Sequence, residues 1–167
     1  VSAKMLADLG CKMVILGHSE RRMKHMETNK VIKEKINMSF KAGIIPIVCL
    51  GENLSDYKKG KSISKVMDQA LNTLPNTIYN KELVIAYEPI WAIGSGITPS
   101  KEEIYEMHKN IHDLLKREFD VQLKVLYGGS IKGSNAKEIL SIPGVNGGLV
   151  GGSSLDKKQF FAICDAT

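Results

Sequence analysis

The sequence predicts an α/β fold built from consecutive parallel βαβ units, and three observations carry that expectation. About five short β-branched and apolar runs alternate with amphipathic helical segments. Strand-to-helix junctions carry glycine or charge, as at residues 17–22, 51–53, 88–96 and 128–130. The third observation is composition: 167 residues, 43% hydrophobic and 25% charged, are enough for a sizeable core and argue against long disorder. No linker, low-complexity tract or short repeat divides residues 1–167, so a single domain is expected. Alternation alone also fits an open doubly wound sheet.

Taken in order, residues 2–9 place Met5, Leu6 and Leu9 at helical spacing and stop at Gly10, which reads as a helix with no strand before it. Residues 12–16 are a β-rich run with a charged loop at the carboxyl end. Residues 29–41 form an amphipathic helix with Val31, Ile32, Ile36 and Phe40 on one stripe, closed by Ala42-Gly43 before a buried strand at 44–50. Gly51-Glu52-Asn53 is a loop. A lysine-rich connection leads to a helix at 63–74 with Ile63, Val66, Met67 and Leu71 inward. Residues 83–87 are too few for a helix and read as a strand buried on both faces. Pro99-Ser100-Lys101-Glu102 opens the longest helix, 101–119, marked by Ile104, Met107, Ile111, Leu114, Leu115 and Phe119. A strand at 123–127, a short helix at 135–140, a short strand at 148–150 and a helix at 157–166 complete the series.

The formal charge of +5 comes from 23 basic against 18 acidic residues. Lys30, Lys33, Lys35, Lys58, Lys59 and Lys61 are mixed with acids and lack interleaved aromatics, which describes a solvated face and not a nucleic-acid groove. No apolar stretch approaches a membrane span and residues 1–4 are not a signal peptide, so a cytoplasmic protein with no membrane partner is expected. Cys11, Cys49 and Cys164 are odd in number and contain no CxxC, which disfavours a disulfide framework or zinc site and suggests reduced, packed thiols. Cys49 lacks a paired histidine in its own motif, so a buried thiol is expected there and not a nucleophile. His108 and His112 have a spacing that can place two imidazoles on one metal, but no HExxH carboxylate accompanies them. A solvated or half-buried helix face is expected, and no metal.

The chemistry concentrates at residues 83–98. Glu88 stands at the carboxyl tip of a buried strand, as either a surface acid or a proton-transferring group held on a rigid element. Pro89 then restricts the backbone, Trp91 supplies an amphipathic anchor, and Gly94-Ser95-Gly96 offers backbone N–H groups to an anion. A Gly-x-Gly alone is an ordinary loop. In context, Tyr87-Glu88-Pro89-Ile90-Trp91-Ala92-Ile93-Gly94-Ser95-Gly96 resembles the base-and-lid segment of the triosephosphate isomerases. Ile15-Leu16-Gly17-His18-Ser19-Glu20-Arg21-Arg22, Tyr127-Gly128-Gly129-Ser130 and Leu149-Val150-Gly151-Gly152-Ser153-Ser154-Leu155 agree in order and spacing.

The resemblance covers essentially all of these residues, but the family's opening strand with its Asn-x-Lys segment has no counterpart, so the chain resembles the C-terminal two thirds of such an enzyme. It implies a partial parallel (β/α) TIM barrel, with about five of the eight βα units. It also implies isomerisation between dihydroxyacetone phosphate and glyceraldehyde 3-phosphate through an enediol(ate), as in glycolysis and gluconeogenesis, by a cytoplasmic homodimer without metal or organic cofactor.

Carried over residue by residue, Glu88 is the general base and His18 the electrophile. This family is itself the type case of a neutral imidazole lowered in pKa by a helix N-terminus. Ser19 and Glu20 support the pair, with Arg21 or Arg22 as the partner of Glu20. Gly94, Ser130, Gly151 and Gly152 hold phosphate, and Pro89, Ile90, Trp91, Ala92, Ile93, Ser95, Gly96, Ile97 and Thr98 complete the lid. The chain departs from the family's pattern at Gly148, Ser153 and the lid exit Ile97-Thr98-Pro99. A different phosphate-binding barrel would place a lysine or paired aspartates at the strand tips, where this chain has His18 and Glu88. The remaining alternative is a truncated, inactive barrel fragment that binds only phosphate or a partner protein.

Overall fold

Four short apolar runs, of which β2 and β3 are the most buried, form the centre of the computed structural model, which describes residues 1–93 and 97–167. They are β1 (Met13–Leu16), β2 (Ile45–Leu50), β3 (Val84–Tyr87) and β4 (Lys124–Tyr127). All pairs are parallel and the strands lie in sequence order, with Ile15 opposite Ile47, Ile47 opposite Val84 and Val84 opposite Lys124. A doubly wound sheet reverses its strand order at a switch point, whereas this order continues in one direction, as in barrel winding. Among the described residues β1 pairs on one edge only, and Met13 and Ile15 are correspondingly exposed.

Parallel neighbours require long crossovers, and helices supply them. Helix α1 (Ala3–Asp8) precedes β1, and α2 (Ser19–Lys24) and α3 (Asn29–Lys41) lead to β2. Next come α4 (Leu54–Lys58) and α5 (Ser62–Thr73) before β3, then α6 (Lys101–Phe119) before β4, and finally α7 (Ala136–Leu140) and α8 (Lys157–Cys164). The two longest helices have the strongest local reasons to form. Thr28 caps α3 by accepting Val31 N–H, and Ser100 with Glu103 makes a reciprocal capping box at α6, a device worth about 1 kcal/mol. Ile32, Ile36, Val48, Ile85, Ile104, Ile111, Leu115 and Val125 meet in the core between sheet and helices.

Several expectations need correction. Residues 148–150 form no strand: Gly148 makes a lone parallel bridge to Tyr127, with Tyr127 N–H donating to Gly147 O and Leu149 N–H donating to Tyr127 O, both at 2.9 Å. Gly147 and Gly148 bring no side chains to pack, and glycine weakens a strand interior. Helix α5 turns Val66, Gln69, Ala70 and Thr73 inward and leaves Ile63 and Leu71 exposed. Helix α1 buries nothing, so Met5 and Leu9 are exposed, and Val31 of α3 lies at the edge of its stripe. Of the three thiols only Cys49 is packed, while Cys11 and Cys164 are exposed. Among the described residues no helix is long and apolar enough to cross a membrane.

Candidate active site

Two strand tips deliver the reacting side chains. After β1, Gly17 turns the chain at φ +70°, and His18 becomes the N-cap of α2, its Nδ1 accepting Glu20 N–H at 3.3 Å. With Nδ1 occupied as an acceptor, the ring proton lies on Nε2, which faces Glu88 Oε1 at 3.0 Å. The other carboxylate oxygen, Oε2, accepts Ser19 N–H at 3.0 Å.

Glu88 is 2% exposed at the end of β3. Its N–H donates to Leu50 O at 2.7 Å, so the base stands on the β2–β3 ladder rather than on a loop. A Cβ on Gly51 would lie 1.8 Å from Glu88 O, and only glycine permits this approach. Burial pushes the Glu88 carboxyl above the ordinary carboxylate range, opposed by His18, the Ser19 amide, Cys49 and Arg22. A raised, rigidly held carboxylate beside an imidazole donor is equipped to take a proton from carbon.

Arg22 braces this corner by donating to Gly17 O at 2.8 Å, Asn29 Oδ1 at 2.7 Å and Cys49 O at 3.1 Å. The expected pairing of Glu20 with an arginine does not occur. Glu20 sits on the exposed face of α2 four residues before Lys24, its partner at 3.5 Å, while Arg21 reaches Glu27 at 2.7 Å. Burial pushes the Cys49 thiol up, consistent with a packing role.

Ser130, Gly151 and Gly152 line the same cleft as His18 and Glu88, a space of about 540 Å³. The two loops that form it are tied together, since Ser153 Oγ donates to Ile131 O at 2.7 Å. A Cβ built on Gly151 or Gly152 meets nothing within 4 Å, so packing within the chain does not demand glycine at either position. Gly94, with Ser95 and Gly96 of the lid, lies outside the described residues. Of the rest of the lid, Pro89 leads into a 3-10 turn, Ile90–Ala92, in which Trp91 and Ala92 are buried; Ile93 borders the cleft, and Ile97 and Thr98 are exposed.

The root of the lid rests on a residue that the sequence reading passed over. Glu52, 1% exposed, accepts Trp91 Nε1–H at 2.7 Å and Tyr87 O–H at 3.1 Å through one oxygen, and Tyr57 stacks on Trp91 at 3.8 Å. Burial raises its pKa. Its signal was its position: like Glu88, it is an acid just beyond the tip of a buried strand. Lys132 was also passed over, and it lines the cleft. His108 departs from expectation too, being wholly buried, whereas His112 is half-buried as expected; both rings point at Gly144 O, at 3.2 and 2.9 Å. Among the described residues no cluster of three or more His, Cys, Asp or Glu could hold a metal.

Sequentially ordered parallel strands, with an acid–imidazole pair at neighbouring tips and glycine turns beyond the last strands, define a βα-barrel protein whose loops face one cleft. The comparisons make this specific: the sequence matches the triosephosphate isomerase family over residues 1–167, and the chain belongs to that family. It is 43% identical over 166 residues to the triosephosphate isomerase of Rhodopseudomonas palustris (strain BisA53), covering 98% of this chain and 66% of that protein. The corresponding protein of Caulobacter vibrioides (strain ATCC 19089 / CIP 103742 / CB 15) is 47% identical over 169 residues, with 99% and 67% covered. The crystal structure of triosephosphate isomerase from Bartonella henselae superposes with a TM-score of 0.90 at 37% identity, covering 99% of this chain and 68% of that one. The chain thus spans about two thirds of the length of the curated relatives it matches.

Proposed function

We propose that the cleft interconverts dihydroxyacetone phosphate and glyceraldehyde 3-phosphate. The observation that carries this reading is the contact between His18 Nε2 and Glu88 Oε1 at 3.0 Å, at the tips of two strands of one sheet. A substrate seated between them exchanges that bond for two of its own. His18 Nε2–H donates to the carbonyl oxygen, and Glu88 removes the proton from the adjacent carbon. The resulting enediolate is reprotonated by Glu88 on the neighbouring carbon while His18 moves a proton between the two oxygens. Ser130 and the amides of Gly151 and Gly152 hold the phosphate, and Gly94 joins them when the lid closes, excluding water and suppressing phosphate elimination. Ser19 steadies Glu88 through its amide, and Glu20 steadies the ring of His18 through its own. The chemistry needs neither metal nor organic cofactor.

In this reading residues 1–167 belong to one barrel domain, in a cytoplasmic protein that works as a homodimer. The alternative, a module that binds phosphate or a partner without turnover, is favoured by one observation, the unpaired outer edge of β1 among the described residues. Proton NMR of dihydroxyacetone phosphate in D2O with the full-length protein separates the two. Deuterium enters the reacting carbon in the parent and not in Glu88→Gln, which still binds inorganic phosphate. Absence of exchange in the parent overturns the isomerase reading.

A further inference from the structure

Residues 147–152 carry two glycines of the cleft, yet very little β-ladder holds them. The Tyr127–Gly148 bridge is isolated, and a segment with so short a ladder has its register only weakly specified by the sheet. Contacts outside the sheet therefore help to fix its position. Just upstream, Gly144 O faces His108 Nδ1 at 3.2 Å and His112 Nε2 at 2.9 Å. One carbonyl has two lone pairs, so both rings can donate at once if His108 carries its proton on Nδ1 and His112 on Nε2. Gly144 sits at φ +88°, and a Cβ there would come within 3.4 Å of His112 Cδ2 and 3.5 Å of His108 Cβ, so the turn is seated closely on the two rings.

Two residues on, Asn146 N–H donates to Val125 O and Asn146 Oδ1 accepts Val125 N–H, both at 2.8 Å. The chain then reaches the Tyr127 bonds and, beyond them, Gly151. We infer that His108 and His112 clamp the Gly144 carbonyl and thereby position the turn that carries Gly151 and Gly152, the cleft's proposed phosphate donors. They are positioning residues, since neither ring borders the cleft. The phosphate part of this inference rests on the isomerase reading above. Helix α6, capped by Ser100, also starts at Lys101 just after the lid, so one helix spans from the lid's exit to the anchor of the phosphate turn.

The test compares His112→Leu with His112→Gln in the full-length protein, because a glutamine amide can donate from the place of Nε2 and leucine cannot. Amide hydrogen exchange is read at Asn146 and Leu149 and, as a reference on the β2–β3 ladder, at Glu88. In His112→Leu, exchange at Asn146 and Leu149 rises about two- to tenfold, the size of one hydrogen bond. Affinity for inorganic phosphate falls by a similar factor, Glu88 is unchanged, and His112→Gln restores both. Unchanged exchange at Leu149, or an equal rise at Glu88 that marks general loosening, overturns the clamp. If the parent neither turns over substrate nor binds phosphate, the isomerase reading fails, and the contrast between Leu149 and Glu88 still decides the clamp.

Discussion

Shortening Glu88 to aspartate tests the proposed base with the least disturbance elsewhere. The change withdraws the carboxylate by one methylene, about 1.5 Å. Its two contacts, 3.0 Å to His18 Nε2 and 3.0 Å to Ser19 N–H, then open beyond hydrogen-bonding distance. The same retraction separates base from carbon acid, and a misplacement of about 1 Å costs about 100-fold in rate, or about 2.7 kcal/mol of transition-state stabilisation. Ser130, Gly151 and Gly152 lie on other loops, so KM should stay within about twofold. A coupled assay in an active full-length preparation gives kcat and KM together. An unchanged kcat, or a KM that rises in step with the loss of kcat/KM, refutes the assignment of Glu88 as the base.

Gly51→Ala puts a methyl group 1.8 Å from Glu88 O, so the tip of β3 must shift; a loss of about 3 kcal/mol in urea unfolding, with kcat falling alongside, is expected, and wild-type stability would contradict the close approach. Glu52 has a raised pKa in the fold, so as pH rises the unfolded chain releases its proton first and native stability declines from the ordinary glutamate range up to the raised value. Glu52→Gln, which keeps an oxygen for Trp91, should flatten that decline, and parallel stability–pH curves would count against it. His108 has the opposite sign: burial lowers its pKa to about 4, so its contribution is complete above about 6.5 and is lost as pH falls through about 4. That amounts to about 3 kcal/mol, and acid unfolding of His108→Gln should lack this component.

How much of this was legible in the sequence depended on whether the information was local. Helices α3 and α6 match their expected spans because an apolar stripe and a cap mark each, Thr28 for one and Ser100 with Glu103 for the other. The motif loops gave His18, Glu88, Ser130, Gly151 and Gly152, and the fold brings these to one cleft, though their roles remain the proposal made above. What periodicity does not encode is contact over long separations. Glu52 looks like any loop acid until Trp91 and Tyr87 close on it, and the carbonyl that collects His108 and His112 lies more than 30 residues away. Apolar spacing alone also misleads where no sheet lies beneath it, as at Met5 and Leu9.

The central proposal is that these residues carry the base, the electrophile and the phosphate-binding turns of an isomerase whose barrel needs further strands. A parallel barrel closes by pairing its first strand with its last. The most direct test measures isomerase turnover of a purified 167-residue polypeptide, alone and joined to the N-terminal third of a relative such as that from Caulobacter vibrioides. The account predicts no significant turnover alone, turnover on joining, and loss of that turnover in Glu88→Gln. Full turnover by the 167 residues alone, or undiminished turnover of the joined protein carrying Glu88→Gln, would contradict it.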